Sequence, residues 1–169
     1  QGEELGLSQV EIGFDDLKDP EAIANWPLTL NRDGARTPLP WCAVSPGLGF
    51  SSGKPWLPLG DDHAALTISA QDSDPESMLA FTRTLVALRN DSDALLLGAM
   101  RVIEASDQML VFDRSVPGET MLCVFNLGEA PVRWAPAEPA RWQIVAQVGT
   151  VDDWALGRFS GYVARTIDQ

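Results

Sequence analysis

Asn31-Arg32-Asp33-Gly34-Ala35-Arg36-Thr37-Pro38-Leu39-Pro40-Trp41, followed by Gly49-Phe50-Ser51-Ser52-Gly53-Lys54-Pro55-Trp56-Leu57-Pro58, is the stretch that decides how the rest of the chain must be built. It mixes arginines, aromatic rings and prolines and shows neither a helical nor a strand period. Its order must therefore come from aromatic packing and a proline-restricted backbone. Long segments without regular structure are uncommon in compact domains, and where they are ordered they usually build binding sites.

Outward from that stretch, residues 1–74 carry most of the glycine and proline punctuation of the chain. Two short helical turns fit inside them, at Phe14-Leu17 and at Pro20-Asn25, where Asp19 can cap a helix with Pro20 at its first position. Neither could stand alone, so the segment reads as an excursion from a larger scaffold. Gln1-Gly2-Glu3-Glu4-Leu5-Gly6 reads as a strand running into a glycine-rich loop, and with no initiator Met the chain looks cut in mid-element.

The first long regular element is predicted from Asp74 to Asn90, with Asp74 as cap, Pro75 at the first helical position and Glu76 against the macrodipole. Met78, Phe81, Leu85 and Leu88, with Leu79 and Val86, give it an apolar face. A shorter turn capped by Ser92 and closed by Gly98 follows. From Met100 the pattern changes to short β-rich runs, Met100-Ala105, Met109-Arg114, Thr120-Leu127, Val132-Ala135, Arg141-Val148 and Phe159-Ile167, separated by turn residues. Regular short strands of this kind predict an antiparallel sandwich or barrel, and the change of composition places a domain boundary between residues 98 and 99.

Composition excludes several classes of function. The 169 residues carry 24 acidic against 12 basic side chains, a net charge of -12, which disfavours nucleic acid or an anionic membrane as partner. The two cysteines, Cys42 and Cys123, have no metal-ligand spacing and read as free thiols in a reducing compartment. No apolar run approaches the roughly 18 residues that cross a membrane, and the first residues carry Glu3 and Glu4 rather than the basic and apolar regions of a secretion signal, so none is expected within these residues.

No catalytic apparatus stands out. The doublets Glu3-Glu4, Asp15-Asp16, Asp61-Asp62 and Asp152-Asp153 are sequence neighbours whose side chains point apart, so solvated loop charge is the better reading. His63 is the only histidine, which leaves no metal set and no hydrolase triad; it reads as a surface or packing residue. Gly47-Leu48-Gly49 precedes Phe50 rather than a helix and is no phosphate cradle. Trp26, Trp41 and Trp56 could stack on sugar rings, but packing within the loop is the preferred reading of each. For Arg32 and Arg36 the residues alone leave a structural ion pair and a ligand contact open in equal measure.

Taken together, Gln1-Gly2-Glu3-Glu4-Leu5-Gly6, Arg32-Asp33-Gly34-Ala35-Arg36-Thr37-Pro38-Leu39-Pro40-Trp41, Gly49-Phe50-Ser51 and Lys54-Pro55-Trp56-Leu57-Pro58, in this order, resemble the C-terminal part of α-glucosidases and oligo-1,6-glucosidases of the α-amylase family, glycoside hydrolase family 13. The resemblance covers about the whole chain. It implies the end of a TIM (β/α)8 barrel, with residues 1–98 holding the eighth strand (Gln1-Leu5), a long loop and the last helix, followed by an antiparallel β-sandwich, domain C, over residues 99–169.

It further implies a retaining, exo-acting α-glucosidase that hydrolyses, or transglucosylates from, short α-glucosides such as maltose, sucrose or isomaltose. The catalytic acids lie on earlier strands, so no catalytic residue is expected in this chain, which alone should be inactive. Two substrate-binding residues are implied. Arg32 matches the arginine that fixes the non-reducing-end glucose and pairs with an upstream aspartate, and Gln9 falls where some relatives carry a glutamate facing the aglycone subsite. The expected partners are the remainder of the barrel, an oligosaccharide or α-glucoside substrate and, for the complete enzyme, a second copy in a homodimer. No cofactor, metal, nucleic acid or membrane is expected; the location is cytoplasmic, with the periplasm as alternative. The rival reading from another class is a non-catalytic carbohydrate-binding or interaction module built on the sandwich.

Overall fold

A computed structural model describes residues 1–44 and 46–167. They pack as two compact units, Gln1–Arg83 and a second from Thr84 onward.

The first unit is built from turns and short helices, with no strand among its described residues. Gln1–Leu5, read from the sequence as the end of a strand, instead forms a 3-10 turn over Glu3–Leu5, flanked by Gly2 and Gly6 in the left-handed region at φ 89° and 72°. A strand is defined by inter-strand bonds. Here the amides of Leu5 and Leu7 both reach back to the Gly2 carbonyl at 3.0 Å, so the backbone closes on itself. The two helical turns expected from the sequence are present, a 3-10 turn at Phe14–Asp16 and α1 at Pro20–Asn25, with Asp19 accepting from the Glu21 amide as its cap. A further helix, α2 at Ile68–Gln71 with Thr67 as cap, went unpredicted because it spans a single turn.

Side chains replace the missing ladders. The buried Gln71 amide donates to the carbonyls of Leu5 (2.8 Å) and Leu66 (3.2 Å), while its oxygen accepts from the Leu79 amide at 3.0 Å. A small apolar core of Ile12, Leu17, Ala22 and Leu57, with Val10 against it, fills the space left.

Helix α3 (Met78–Asn90) starts one turn later than the sequence predicts. The Asp74 carboxylate is used locally, accepting from the Glu76 amide at 2.9 Å, and the cap falls to Ser77, whose hydroxyl oxygen accepts from the Ala80 amide at 3.2 Å. The same hydroxyl donates to the Gln71 carbonyl at 2.8 Å, tying α3 to α2. Of its predicted apolar face only Leu79 is buried; Phe81, Leu85 and Leu88 are half-buried and Met78 and Val86 exposed. Helix α4 (Asp93–Leu97) is capped by Ser92 and followed by Gly98, as the sequence predicts.

The second unit is an antiparallel sandwich. Its strands are β1 (Ala99–Ala105), β2 (Met109–Val116), β3 (Glu119–Asn126), β4 (Val132–Arg133), β5 (Trp142–Val148), β6 (Val151–Asp152), β7 (Ala155–Leu156) and β8 (Ser160–Thr166). A five-stranded sheet in the order β1-β2-β3-β8-β5 faces a small sheet in the order β4-β7-β6. The alternation of Met109 and Val111, and of Leu122 and Val124, sets the register and turns these residues into one core with Leu156, Tyr162 and Ala164. Between β2 and β3 the chain reverses through Pro117-Gly118, with Gly118 at φ 89°, a position that favours glycine. Thr150-Gly157, a turn from its sequence, holds β6 and β7, each too short to show a period.

Candidate binding site around Arg32

The Arg32–Ala35 segment of the opening stretch is a 3-10 turn held from below by a buried carboxylate. Asn31 enters it at φ 41°, an uncommon backbone state that asparagine tolerates better than most residues, and its side-chain oxygen accepts from the Asp33 amide at 3.1 Å. Asp33 is fully buried, and its Oδ2 accepts from the amides of Lys18 (2.6 Å) and Asp19 (2.7 Å), which pins the turn to the start of α1. Gly34 lies against the chain at Val10: a Cβ there would sit 2.2 Å from the Val10 carbonyl oxygen, so only glycine fits.

That frame fixes Arg32. Its Nε donates to Asp19 Oδ2 at 2.7 Å and its Nη2 to Asp19 Oδ1 at 2.6 Å, a two-pronged ion pair whose acid is fully buried while the arginine side chain is 61% exposed. The hydrogen bond from the guanidinium holds the Asp19 carboxyl well below the usual carboxylate range, against the opposing effect of burial, and Asp19 in turn raises the pKa of Arg32. The clamp commits one edge of the guanidinium and leaves its other N–H donors for a ligand. Arg32 borders an open cleft of about 540 Å3 with Glu21, Leu28, Thr29 and Leu30. Glu21 holds the cleft wall in shape, accepting from Asn25 Nδ2 at 2.9 Å and Thr29 Oγ1 at 2.7 Å.

Gln9, the second expected binding residue, lies beside this turn. Its Nε2 donates to the Asn31 carbonyl at 3.2 Å, and the neighbouring Val10 amide donates to the Gly34 carbonyl at 3.1 Å. Gln9 and Arg32 are thus brought to one loop, although 22 residues separate Gln9 from the Asn31 it contacts. Asp19 was legible from the sequence only as a helix cap; nothing in the spacing of Asp19 and Arg32 announces that one clamps the other.

Other side chains do not join them. The acidic doublets lie at the surface or half-buried, and among the described residues no group of three or more His, Cys, Asp or Glu could hold a metal ion. His63 is fully buried, a packing residue, with neither ring nitrogen hydrogen-bonded within the described residues. Burial lowers its pKa below 6.5, opposed by the Asp62 carboxylate 3.9 Å away. The expectation that Trp26, Trp41 and Trp56 pack inside the loop is corrected: they are between 45% and 59% exposed. Trp26 meets Phe14 at 5.8 Å between ring centres, and the small core of this unit is aliphatic instead. No helix of the described residues is long and apolar enough to cross a membrane.

Comparison with known proteins places this geometry in context. The family model described as the α-amylase catalytic domain matches residues 1–98. A probable α-glucosidase of Rhizobium meliloti (strain 1021) is 40% identical over 129 residues, which cover 76% of this chain and 23% of that protein. An oligo-1,6-glucosidase of Parageobacillus thermoglucosidasius is 26% identical over 148 residues, 76% of this chain and 26% of its own length. Among solved structures, the α-glucosyl transfer enzyme XgtA superposes with a TM-score of 0.85 at 38% identity, covering 99% of this chain and 32% of that one. The chain therefore spans about a quarter of the length of these curated relatives.

Proposed function

This chain belongs to the α-amylase family, glycoside hydrolase family 13, and from that premise we propose that it is the C-terminal portion of a retaining, exo-acting α-glucosidase. In this reading the enzyme hydrolyses short α-glucosides such as maltose, sucrose or isomaltose, or transfers their glucose to another acceptor. Residues 1–98 complete the barrel, and residues 99–169 are its domain C. A nucleophilic carboxylate forms a glucosyl-enzyme intermediate and a second carboxyl group protonates the leaving oxygen, then activates the water or sugar that resolves it. Both acids belong to earlier strands of the barrel. The role of this chain is to shape the pocket: Arg32 donates to hydroxyls of the terminal glucose, and Gln9 faces the aglycone side.

The observation that carries the reading is the clamp on Arg32. A guanidinium held at two points by a buried carboxylate loses little side-chain freedom when it meets a ligand, and such preorganisation is what a positioning residue requires. The exposed Trp26, Trp41 and Trp56 and the half-covered apolar face of α3 support the need for further barrel around the first unit. The location proposed for the enzyme is the cytoplasm, and the complete enzyme is proposed to pair with a second copy.

Complementation tests the proposal. This chain mixed with a polypeptide carrying the remaining barrel strands should release p-nitrophenol from its α-glucoside, while neither piece alone does so. Failure to raise turnover above that of the other piece alone, with both shown to associate, would overturn the reading.

A further inference from the structure

The inner face of the five-stranded sheet changes character along its length. Around Val111, Leu122, Val124 and Tyr162 it is closed by apolar packing. Two residues further along the same strands, on the same face, stand Asp113 after Val111, Thr120 before Leu122 and Thr166 after Ala164. The small sheet does not cover them, and they floor an open cleft of about 470 Å3. Trp134 and Trp142 wall it. Both rings also pack against the apolar core, and Trp134 Nε1 donates to Glu104 Oε2 at 3.1 Å, so its ring is held before any ligand arrives.

The chemistry of the lining narrows what could enter. Four charged groups face the cleft, and they are paired: Arg101 with Asp113, and Arg141 with Glu138 across 3.3 Å. Asp113 is only 8% exposed, whereas Arg101 is 75% exposed and keeps donors beyond those it gives to Asp113. An incoming ion would meet arginines whose charge is already compensated by a carboxylate, whereas a neutral hydroxyl can accept from a spare donor of such a pair without displacing it. Hydroxyls are supplied as well, with Thr120 Oγ1 donating to Ser115 Oγ at 3.2 Å and leaving the second oxygen able to donate outward. The volume lies within the roughly 300–1,000 Å3 of small-molecule sites.

We propose that this cleft is a second ligand site, one that takes a neutral carbohydrate. The apolar C–H face of a pyranose ring would lie against the indoles of Trp134 and Trp142, and its rim hydroxyls would meet Arg101, Arg141 and the Ser115-Thr120 pair. The chain total of -12 further disfavours an anion here, and the balanced pairs offer no uncompensated acid to hold a cation.

The test is a titration of the full chain with maltose, followed by the indole N–H signals of Trp134 and Trp142 in 1H–15N spectra. The expected result is saturable movement of both signals in the millimolar range. Thr120→Val and Arg141→Ala should each weaken binding about fivefold or more, the loss of one hydrogen bond. The Thr120→Val change conserves volume and Arg141 lies at the exposed rim, so the fold survives both. Absence of saturation through tens of millimolar would overturn the proposal. So would binding that ignores both substitutions, or equal shifts on adding inorganic phosphate.

Discussion

The two units of this chain solve the same problem, pairing their backbone polar groups, by different means. From Ala99 onward the strands pair with each other along their length, interrupted only by register shifts between Val102 and Glu104 and between Ile144 and Ala146 among the described pairings, and the side chains are free to pack. The unit Gln1–Arg83 has no ladder among its described residues and uses polar side chains as substitutes: Asp33 for the amides of Lys18 and Asp19, Gln71 for Leu5, Leu66 and Leu79. Ladders distribute the load over many equivalent bonds. Side-chain clamps concentrate it on a few residues, and they also place a charged group such as Arg32 in one fixed position beside solvent.

If this contrast is right, damage should spread differently in the two units. Leu122→Ala removes a large side chain from the sandwich core and should cost about 2–5 kcal/mol, lowering the urea midpoint of the whole unit and the exchange protection of every paired strand together. Asp33→Ala leaves the buried Asp19 amide and the part-buried Lys18 amide without their acceptor and should cost about 2–3 kcal/mol, with exchange accelerated at Lys18 and Asp19 while the β2 and β3 amides stay protected. Gln71→Ala should cost about 2 kcal/mol and loosen the turn at Glu3–Leu5 together with the start of α3. A cooperative collapse of the sandwich in either clamp variant would break the comparison.

The smallest expected effect is that of pH on His63. Its folded pKa lies below the unfolded value of about 6.5 because burial disfavours the charged ring. Between the folded value and 6.5 the unfolded chain binds more protons, so its contribution to stability is complete above 6.5 and is lost as pH falls toward the folded value. The melting temperature should therefore decline on acidification below about pH 6.5, and His63→Phe should flatten that decline. An unchanged slope in the variant would show that the ring is not kept neutral by its surroundings.

The same contrast explains what the sequence could reveal. Ladders obey a period of two, so the β-rich runs from Met100 to Ile167 disclosed the sandwich and the turn residues between them its reversals, whereas with Met121 and Cys123 buried beside Leu122 and Val124 the alternation does not tell the two faces of β3 apart. Local caps were equally legible at Asp19 and Ser92, where acceptor and amide lie two or three residues apart. Clamps obey no period. Asp19 and Arg32 lie 13 residues apart, Gln71 and Leu5 66 apart, and no spacing rule links them. The start of α3 was misplaced for a related reason: Asp74 has the right composition for a cap, but Ser77 is the residue tied to Gln71 through a contact outside the helix. The binding role proposed for Arg32 rests on the resemblance of a whole motif, whereas Asp19, which holds it, is seen only in the fold.

The central claim is that the clamped Arg32 is aimed at a sugar, and kcat/KM of the reconstituted enzyme on p-nitrophenyl α-glucoside tests it most directly. With Arg32→Ala the account predicts a fall of about ten- to a hundredfold, the loss of one charge-assisted hydrogen bond of about 1.5–3 kcal/mol. An unchanged kcat/KM with a lowered melting temperature would contradict it, and would leave the Arg32–Asp19 pair as a structural bridge.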